Sequence, residues 1–375
     1  MLGAGPGGVA TALHLERQGV RAALLEARDE VATRPNVVDL SPDAVASARR
    51  AGLGEAFDRR IGVSSRGDEL GAAIALRGLE NEGRQQLAAR GVPVHYGARV
   101  TGLAQAADGA HLVQLADGRS ARGTYIVNAT GGRSGIEDAL GMGLEFQGDW
   151  AWFGAARTSH APKLADGVRA GGLLGLVRND KPDSHGELRP SFDQLELTPE
   201  TERWRSTSWY GWQNQVDGLS VFQPINSRDF TLLTPAEMSD RILAPARAHG
   251  ATEVLDQPRL IRAESATVDR ARVGRVLAIG DAAGRAHPKQ MRGTQLALLD
   301  AERAATAIVD TIRTPASEDA VLRAFDTATL AAHAEFGPDG PRVRAEDPFR
   351  GEGVDVLELT KLDAWPSSQV SARPA

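Results

Sequence analysis

Hydrophobic and polar positions follow two different rhythms along this chain. At the start, Gly3-Ala4-Gly5-Pro6-Gly7-Gly8 leads into Val9–Arg17, where Val9, Ala12 and Leu13 share one helical face. Gly19 ends that helix, and Val20–Leu25 reads as a short, mostly apolar strand closing at Glu26. A second stretch of alternating helix and strand runs to about residue 144. Within it, His111–Leu115 and Ser120–Val127 flank Asp117-Gly118, a hairpin signal.

From about residue 145 to 265 the rhythm shortens to period two. Trp150, Trp152, Trp204, Trp209 and Trp212, five of the chain's six tryptophans, fall here. Ser206–Val216 reads as a strand with Tyr210 and Trp212 on one face and Trp209 on the other. Asp217-Gly218 then turns it into Leu219–Phe222, and the polar, proline-containing residues 178–200 read as loop. An antiparallel sheet with a long insertion is expected.

The first rhythm returns at Arg275–Ile279, a buried-type strand punctuated by Gly280-Asp281. A long helix follows from about Thr294, with Leu298, Ala301, Ala305, Ile308 and Ile312 at helical spacing, and another spans about Glu318–Phe336. The expected class is α/β (α+β overall). Its units are a discontinuous domain of residues 1–144 and 266–335, an inserted domain of residues 145–265, and an irregular, charged tail of residues 336–375.

Composition narrows the function by exclusion. The 375 residues carry 43 Lys+Arg against 49 Asp+Glu, a net charge of −6 that leaves no electrostatic footprint for nucleic acid. No apolar run approaches the roughly 18–20 residues that cross a bilayer. The absence of cysteine removes disulfides, thiolate metal sites and a cysteine nucleophile. The histidines show no metal-binding spacing, and neither a nucleophile elbow nor a phosphate loop is found. Without a basic and apolar leader, a cytoplasmic protein is expected.

The opening glycines have a mechanical reading. Gly3 permits a tight turn, Gly5 lets backbone approach a pyrophosphate, and Gly8 lets the helix pack close to the sheet. The phosphate then sits on the helix N-terminus, and Glu26, 18 residues after Gly8, stands where a carboxylate binds a ribose hydroxyl. The strand before Gly3 is only Met1-Leu2, against roughly five residues in a typical strand. Either the start codon lies upstream, which is the favoured expectation, or the central strand is truncated and the site weakened.

Glycines alone do not separate NAD from FAD, whereas Arg275-Val276-Leu277-Ala278-Ile279-Gly280-Asp281-Ala282-Ala283 does. Pro288 follows Gly280 by eight residues, Gly293 by thirteen, and Asp300-Ala301 by twenty and twenty-one. In these offsets the chain resembles the class A FAD-dependent monooxygenases of the para-hydroxybenzoate hydroxylase type, over about residues 1–144 and 270–312. The resemblance implies FAD held in a Rossmann-like domain, interrupted by an antiparallel β-sheet substrate domain. It implies cofactor contacts from Gly3, Gly5, Pro6, Gly7, Gly8, Glu26, Ala27, Arg28, Arg34, Arg77, Val100, Thr130, Gly131, Asp281, Pro288, Gly293 and Thr294. Asp281 matches the carboxylate that bonds the ribityl chain, and Val100 a backbone contact to adenine. The helix from Thr294 points its dipole at the flavin.

The chain departs from the pattern in four places. Gly284 stands where a histidine is usual, Met291 where a glycine is, and Gln295 where an asparagine is. The usual Ala-Asp-Gly-x-Arg-Ser reads Ala129-Thr130-Gly131-Gly132-Arg133-Ser134. Thr130 is compatible with FAD but puts direct nicotinamide reduction in question; similar Ala-Thr-Gly-Gly stretches occur in halogenases and geranylgeranyl-type reductases.

The implied function is hydroxylation or epoxidation, through a flavin C4a-peroxide, of a small aromatic or natural-product molecule with O2. NAD(P)H and a separate flavin reductase are the candidate electron sources, and both monomer and homodimer stay open. Arg292 and His287 are the catalytic candidates, with Lys289 beside them; each also reads as an ordinary loop side chain. Tyr210 and Trp212 are candidates for the substrate pocket, or for core. The alternatives are a reductase, halogenase or FAD-scaffolded cyclase of the same fold, or a degenerate member that is not an enzyme. The halogenase Trp-x-Trp-x-Ile-Pro stretch is matched only by Trp209-Tyr210-Gly211-Trp212, with different spacing.

Overall fold

The structure, a computed structural model, describes residues 1–29, 37–58, 62–66, 69–132, 134–159, 173–174, 210–214, 218–225, 234–248, 250–286 and 292–337. Helix α1 (Pro6–Arg17) begins with proline in its first turn and gives way at Gln18 to Gly19, whose φ of +77° suits the end of a helix. Its apolar face, including Val9, Ala12 and Leu13, is buried. The run after it narrows to a two-residue strand, β1 (Leu24–Leu25).

Next come β2 (Val37–Leu40), α2 (Pro42–Ala51), α3 (Glu55–Asp58), β3 (Gly62–Arg66), β4 (Glu69–Ala75) and α4 (Leu76–Ala89). The strands form an antiparallel sheet in the order β2-β4-β3. Ser41 caps α2, its hydroxyl accepting the Ala44 N–H at 3.3 Å. The chain then enters β5 (Val94–His95), parallel to β1.

A three-stranded meander follows: β6 (Val100–Gln105), β7 (His111–Leu115) and β8 (Ser120–Gly123). The run Ser120–Val127 is two strands in two sheets. Its first half alternates between exposed and half-buried residues and stays at the edge, whereas β9 (Ile126–Asn128) is buried throughout and crosses into the parallel sheet.

Leu2 sits at the centre of that sheet, bridging both Leu25 and Asn128. Its N–H donates to the Val127 carbonyl at 2.9 Å, and its own carbonyl accepts the Ala129 N–H at 2.8 Å. On the other side the Gly3 N–H donates to the Leu25 carbonyl at 2.8 Å, and the Leu25 N–H to the Met1 carbonyl at 2.9 Å. Leu2 thus lies between β1 and β9, with hydrogen bonds along both edges.

After the short α5 (Ile136–Ala139), the antiparallel region begins with β10 (Glu145–Thr158), β11 (Leu173–Leu174), β12 (Tyr210–Asn214) and β13 (Gly218–Ile225). Helix α6 (Pro235–Ala248) and β14 (Val254–Thr267) complete it, giving the strand order β11-β12-β13-β10-β14. Met238, Ile242, Leu243 and Ala246 of α6 are buried, and the helix packs against β10, β13 and β14. These residues lie outside the main buried cluster, which gathers Leu2, Leu13, Leu24, Val127, Leu277 and Ile308.

The chain returns to the parallel sheet through β15 (Arg272–Val273) and β16 (Val276–Ala278), which pairs with β9. A single 3-10 turn, Gly280–Ala282, follows, then α7 (Gly293–Arg313) and α8 (Glu318–Glu335). Leu298, Ala301, Ala305 and Ile308 of α7 are buried against α1, α2 and α8; Ile312, in the last turn, is 48% exposed.

Candidate functional site

Three stretches distant in sequence meet at the N-terminus of α1. Gly3 has φ +97°, and a methyl group on it would overlap the Ala129 carbonyl and come within 3.0 Å of the Thr130 Cα. A methyl on Gly8 would overlap the Gly3 carbonyl oxygen. One on Gly7 would lie 3.2 Å from both the Ala297 Cβ and the Ile279 Cδ1, and one on Gly280 2.9 Å from the same Ala297. The opening turn, the 129–132 loop, the end of β16 and the start of α7 are therefore in direct backbone-level contact.

Gly5 is the exception. Nothing lies within 4 Å of where its Cβ would stand, and no side chain caps the helix it opens. Uncapped N–H groups facing an open space are what a phosphate needs. The residues present therefore fit the pyrophosphate of a dinucleotide.

Glu26 follows β1 and is 5% exposed. Its carboxylate accepts the Ala4 N–H at 2.9 Å, which ties it to the glycine turn. It also accepts the Arg28 N–H at 3.0 Å, Arg28 Nε at 2.8 Å and Arg28 Nη2 at 3.1 Å. Burial alone pushes the Glu26 carboxyl up, but the hydrogen bonds from Arg28 and Ala4, with the Arg28 charge, outweigh it and hold the carboxyl below its ordinary range. A ribose hydroxyl bound at this carboxylate would share it with Arg28. Ala27, between them, is half-buried.

Thr130 stands at the exposed end of a buried polar chain. Its hydroxyl donates to Asn128 Oδ1 at 2.6 Å, and Asn128 Nδ2 donates to Glu137 Oε1 at 2.7 Å. The Ser134 hydroxyl closes the chain on Glu137 at 2.7 Å. Asn128 and Glu137 are fully buried. Sequence reasoning missed both; the one available signal was a polar residue ending the apolar Ile126-Val127. An aspartate at 130 would bring a second carboxylate to the Asn128 oxygen, which is already an acceptor, so the threonine suits this local network.

Asp281 is half-buried in the 3-10 turn, and a methyl on Gly293 would sit 3.0 Å from its Oδ1. The start of α7 thus lies against the Asp281 carboxylate. Thr294 is half-buried in that first turn, which contains no acidic residue and has no side-chain cap. Arg292, its N-cap, is 5% exposed, donates to Gln295 Oε1 at 2.5 Å and lies 5.6 Å from the Phe336 ring centroid. Gln295 also accepts the Ser41 N–H at 3.1 Å. Arg292 is therefore held in packing between α7 and the end of α8.

The other expected site residues divide into two groups. Val100 opens β6 and is half-buried. Arg77 lies in the first turn of α4, while Tyr210 and Trp212 lie in β12 with backbones opposite Phe222 and Ser220; the side chains of these three fall outside the described residues. Arg34, His287, Pro288 and Lys289 fall outside them altogether. Among the described residues no group of three His, Asp or Glu could hold a metal ion, and no helix is long and apolar enough to cross a membrane.

Comparison with known proteins gives this geometry a context. Residues 72–334 match the family described as FAD binding domain. Rifampicin monooxygenase of Streptomyces venezuelae is 28% identical over 332 residues, covering 80% of this chain and 61% of its own. The 6-methylpretetramide 4-monooxygenase of Streptomyces rimosus is 24% identical over 345 residues, with coverages of 84% and 56%. The chain thus spans 56–61% of the length of these curated relatives. Among solved structures, aklavinone-11 hydroxylase in a ternary complex with FAD and aklavinone superposes with a TM-score of 0.67 at 19% identity, covering 89% of this chain and 66% of that one. At that identity the likeness is one of fold.

Proposed function

We propose that this chain, which belongs to the FAD binding domain family, forms the cofactor and substrate part of an FAD-dependent monooxygenase acting on a small aromatic or natural-product molecule. The observation that carries the reading is the close packing of the Gly3–Gly8 turn against Ala129 and Thr130 and against Ile279 and Ala297, with open space left at Gly5. Bound and reduced, FAD supplies the activation of oxygen.

The chain's own residues do the rest. The uncapped N-terminus of α1 takes the pyrophosphate, Glu26 with Arg28 takes a ribose hydroxyl, and Asp281 takes the ribityl chain. The uncapped start of α7 favours negative charge on the reduced ring. Residues 1–144 and 266–335 form the cofactor domain in this reading. Residues 145–265 form the substrate domain, a division supported by the separate buried set of α6.

Three polycyclic names support the substrate class: rifampicin, 6-methylpretetramide and aklavinone occur in the names of the relatives and the structural neighbour. Electrons come from NAD(P)H or from a separate flavin reductase, the protein works in the cytoplasm, and it is a monomer or a homodimer.

The test begins with the absorption spectrum of protein incubated with FAD and desalted. Retained flavin bands are expected, followed by oxygen uptake that depends on a polycyclic phenol when NADH, NADPH or a flavin reductase is supplied. Flavin retained without oxygen uptake under any donor overturns the monooxygenase reading and leaves the halogenase, reductase and cyclase chemistries. A protein that retains no flavin removes the cofactor reading as well.

A further inference from the structure

Gly284 directly follows Gly280-Asp281-Ala282-Ala283. Its φ is +127°, a conformation that side-chain-bearing residues rarely adopt. A methyl there would come within 3.2 Å of His333 Nδ1 and 3.3 Å of the Ala266 carbonyl oxygen. An imidazole stands beside this loop, arriving from α8, 49 residues further along the chain.

His333 is 8% exposed, and its Nε2 lies 2.7 Å from Asp300 Oδ2. Asp300 is fully buried. The same Oδ2 accepts the Gly280 N–H at 3.0 Å, and Oδ1 accepts from Arg303 at 2.6 Å. A buried carboxylate needs several donors to stay where it is, and His333 supplies one of three. With Asp300 accepting, the short contact is a donation from the Nε2–H. Nδ1 is buried with no hydrogen-bond partner and faces Gly284. Gly280 immediately precedes Asp281, so whatever fixes its amide fixes the turn that presents the Asp281 carboxylate.

We propose that His333 is a positioning residue for FAD: through Asp300 it holds the Gly280 amide and hence Asp281, with its ring packed beside Gly284. Without the imidazole donor, the Asp300 carboxylate turns toward Arg303 and releases the Gly280 N–H. The Asp281 turn then loses its anchor while the helices that bury Asp300 stay packed. This rests on the FAD site and not on the oxygenation reading.

The test compares wild type with His333→Ala, His333→Gln and Leu322→Ala. Leu322 is a buried α8 residue, 1% exposed, without polar contacts to the loop. FAD affinity is read by quenching of flavin fluorescence, the asymmetry of the bound flavin by visible circular dichroism, and fold by thermal melting of the apoprotein. His333→Ala is expected to weaken FAD about ten- to a hundredfold, the scale of one buried hydrogen bond to a charge, and to change the flavin dichroism. His333→Gln, whose amide nitrogen reaches as Nε2 does, keeps most of the affinity. Leu322→Ala lowers the melting temperature and keeps the affinity.

Wild-type affinity in His333→Ala overturns the proposal. So does His333→Gln binding as weakly as the alanine variant, or Leu322→Ala losing FAD in equal measure. If His333→Ala does not fold, Asp300→Asn is read in its place, where lost FAD affinity supports the proposal and unchanged affinity overturns it. Wild type that retains no FAD is a different failure, that of the cofactor reading, and takes this proposal with it.

Discussion

Around Gly3, Gly8 and Gly280 the chain has no room for a side chain, whereas β10 and β14 run fourteen residues each and absorb three register shifts along their shared edge. The first region is held by close approach of short loops, Gly3 to Ala129 across 126 residues, Gly8 to Gly3 within one turn and Gly280 to Ala297. The second is held by a long ladder with a helix packed beside it. In the first, one methyl group is decisive because no side chain can move aside. In the second, a bulge relieves a misfit and the ladder resumes. The proposed function follows the same division: a fixed cofactor needs a fixed frame, and the sheet proposed to hold substrate can vary without disturbing it.

The sharpest test sets two glycines of one turn against each other. Gly8→Ala overlaps the Gly3 carbonyl and is expected to destabilise the apoprotein by about 4 kcal/mol or more, with FAD retention lost. Gly5→Ala meets nothing within 4 Å in the protein, so the apoprotein should melt as wild type does while FAD affinity falls. Thermal melts and flavin titrations of the two variants check this. Equal melting losses would mean that Gly5 is a folding residue and not an approach surface.

Ile242→Ala tests the other side of the comparison. Ile242 is fully buried in α6, outside the main cluster, and its truncation should cost roughly 2–5 kcal/mol. FAD affinity of the folded protein should stay within about threefold, since that much corresponds to well under 1 kcal/mol. A large loss of FAD affinity in this variant would show the two regions to be energetically one.

The two regions also differed in how far they could be read from sequence. Gly3, Gly5, Gly8, Glu26 and Asp281 announce themselves by spacing, the glycines for backbone approach and the two acids for their carboxylates. The resemblance drawn from Gly280-Asp281 and its offsets agrees with the family match and with the Rossmann-like fold and inserted antiparallel sheet. Three features were invisible. Leu2 lies between Asn128 and Leu25, pairings that no local spacing encodes. Ser120–Val127 reads as one strand because periodicity does not report that Thr124-Tyr125 divides two sheets. His333 packed beside Gly284 is a contact across 49 residues that neither helix periodicity nor a local motif encodes. Within the middle sheet the alternating pattern marks strands, but a pocket depends on which side chains face the cofactor, and no spacing records that.

Glu26→Gln is expected to have a moderate, pH-dependent effect. The folded carboxyl lies below its ordinary value of 4.5, so it contributes stability in full above 4.5 and loses that contribution as pH falls through the folded value. Urea denaturation should therefore show the variant about 1–3 kcal/mol less stable at pH 7, with the gap closing toward pH 3. A gap that stays constant down to pH 3 would mean that the carboxylate charge is irrelevant and only the shape of the side chain matters.

The smallest effect is expected at the surface pair Arg50–Glu302, 2.5 Å apart, which joins α2 to α7 behind the site. Arg50 is more than half exposed, so Glu302→Gln should cost less than about 1 kcal/mol at pH 8. His14, buried in α1 beside this pair, makes the variant more informative at lower pH. Burial pushes its imidazole below the ordinary 6.5, Glu302 pulls it back up, and Arg50 and Arg17 push it further down. A histidine whose folded value is depressed loses stability as pH falls from 6.5 to that value, because the unfolded chain takes up the proton first. Removing the Glu302 charge lowers the folded value further and extends that loss. The stability gap between Glu302→Gln and wild type should therefore widen from pH 8 to pH 5, and the His14 ring resonances should titrate at lower pH in the variant. A gap that does not change with pH would show His14 to be insulated from the surface pair, and the frame behind the glycine turn to be set by packing alone.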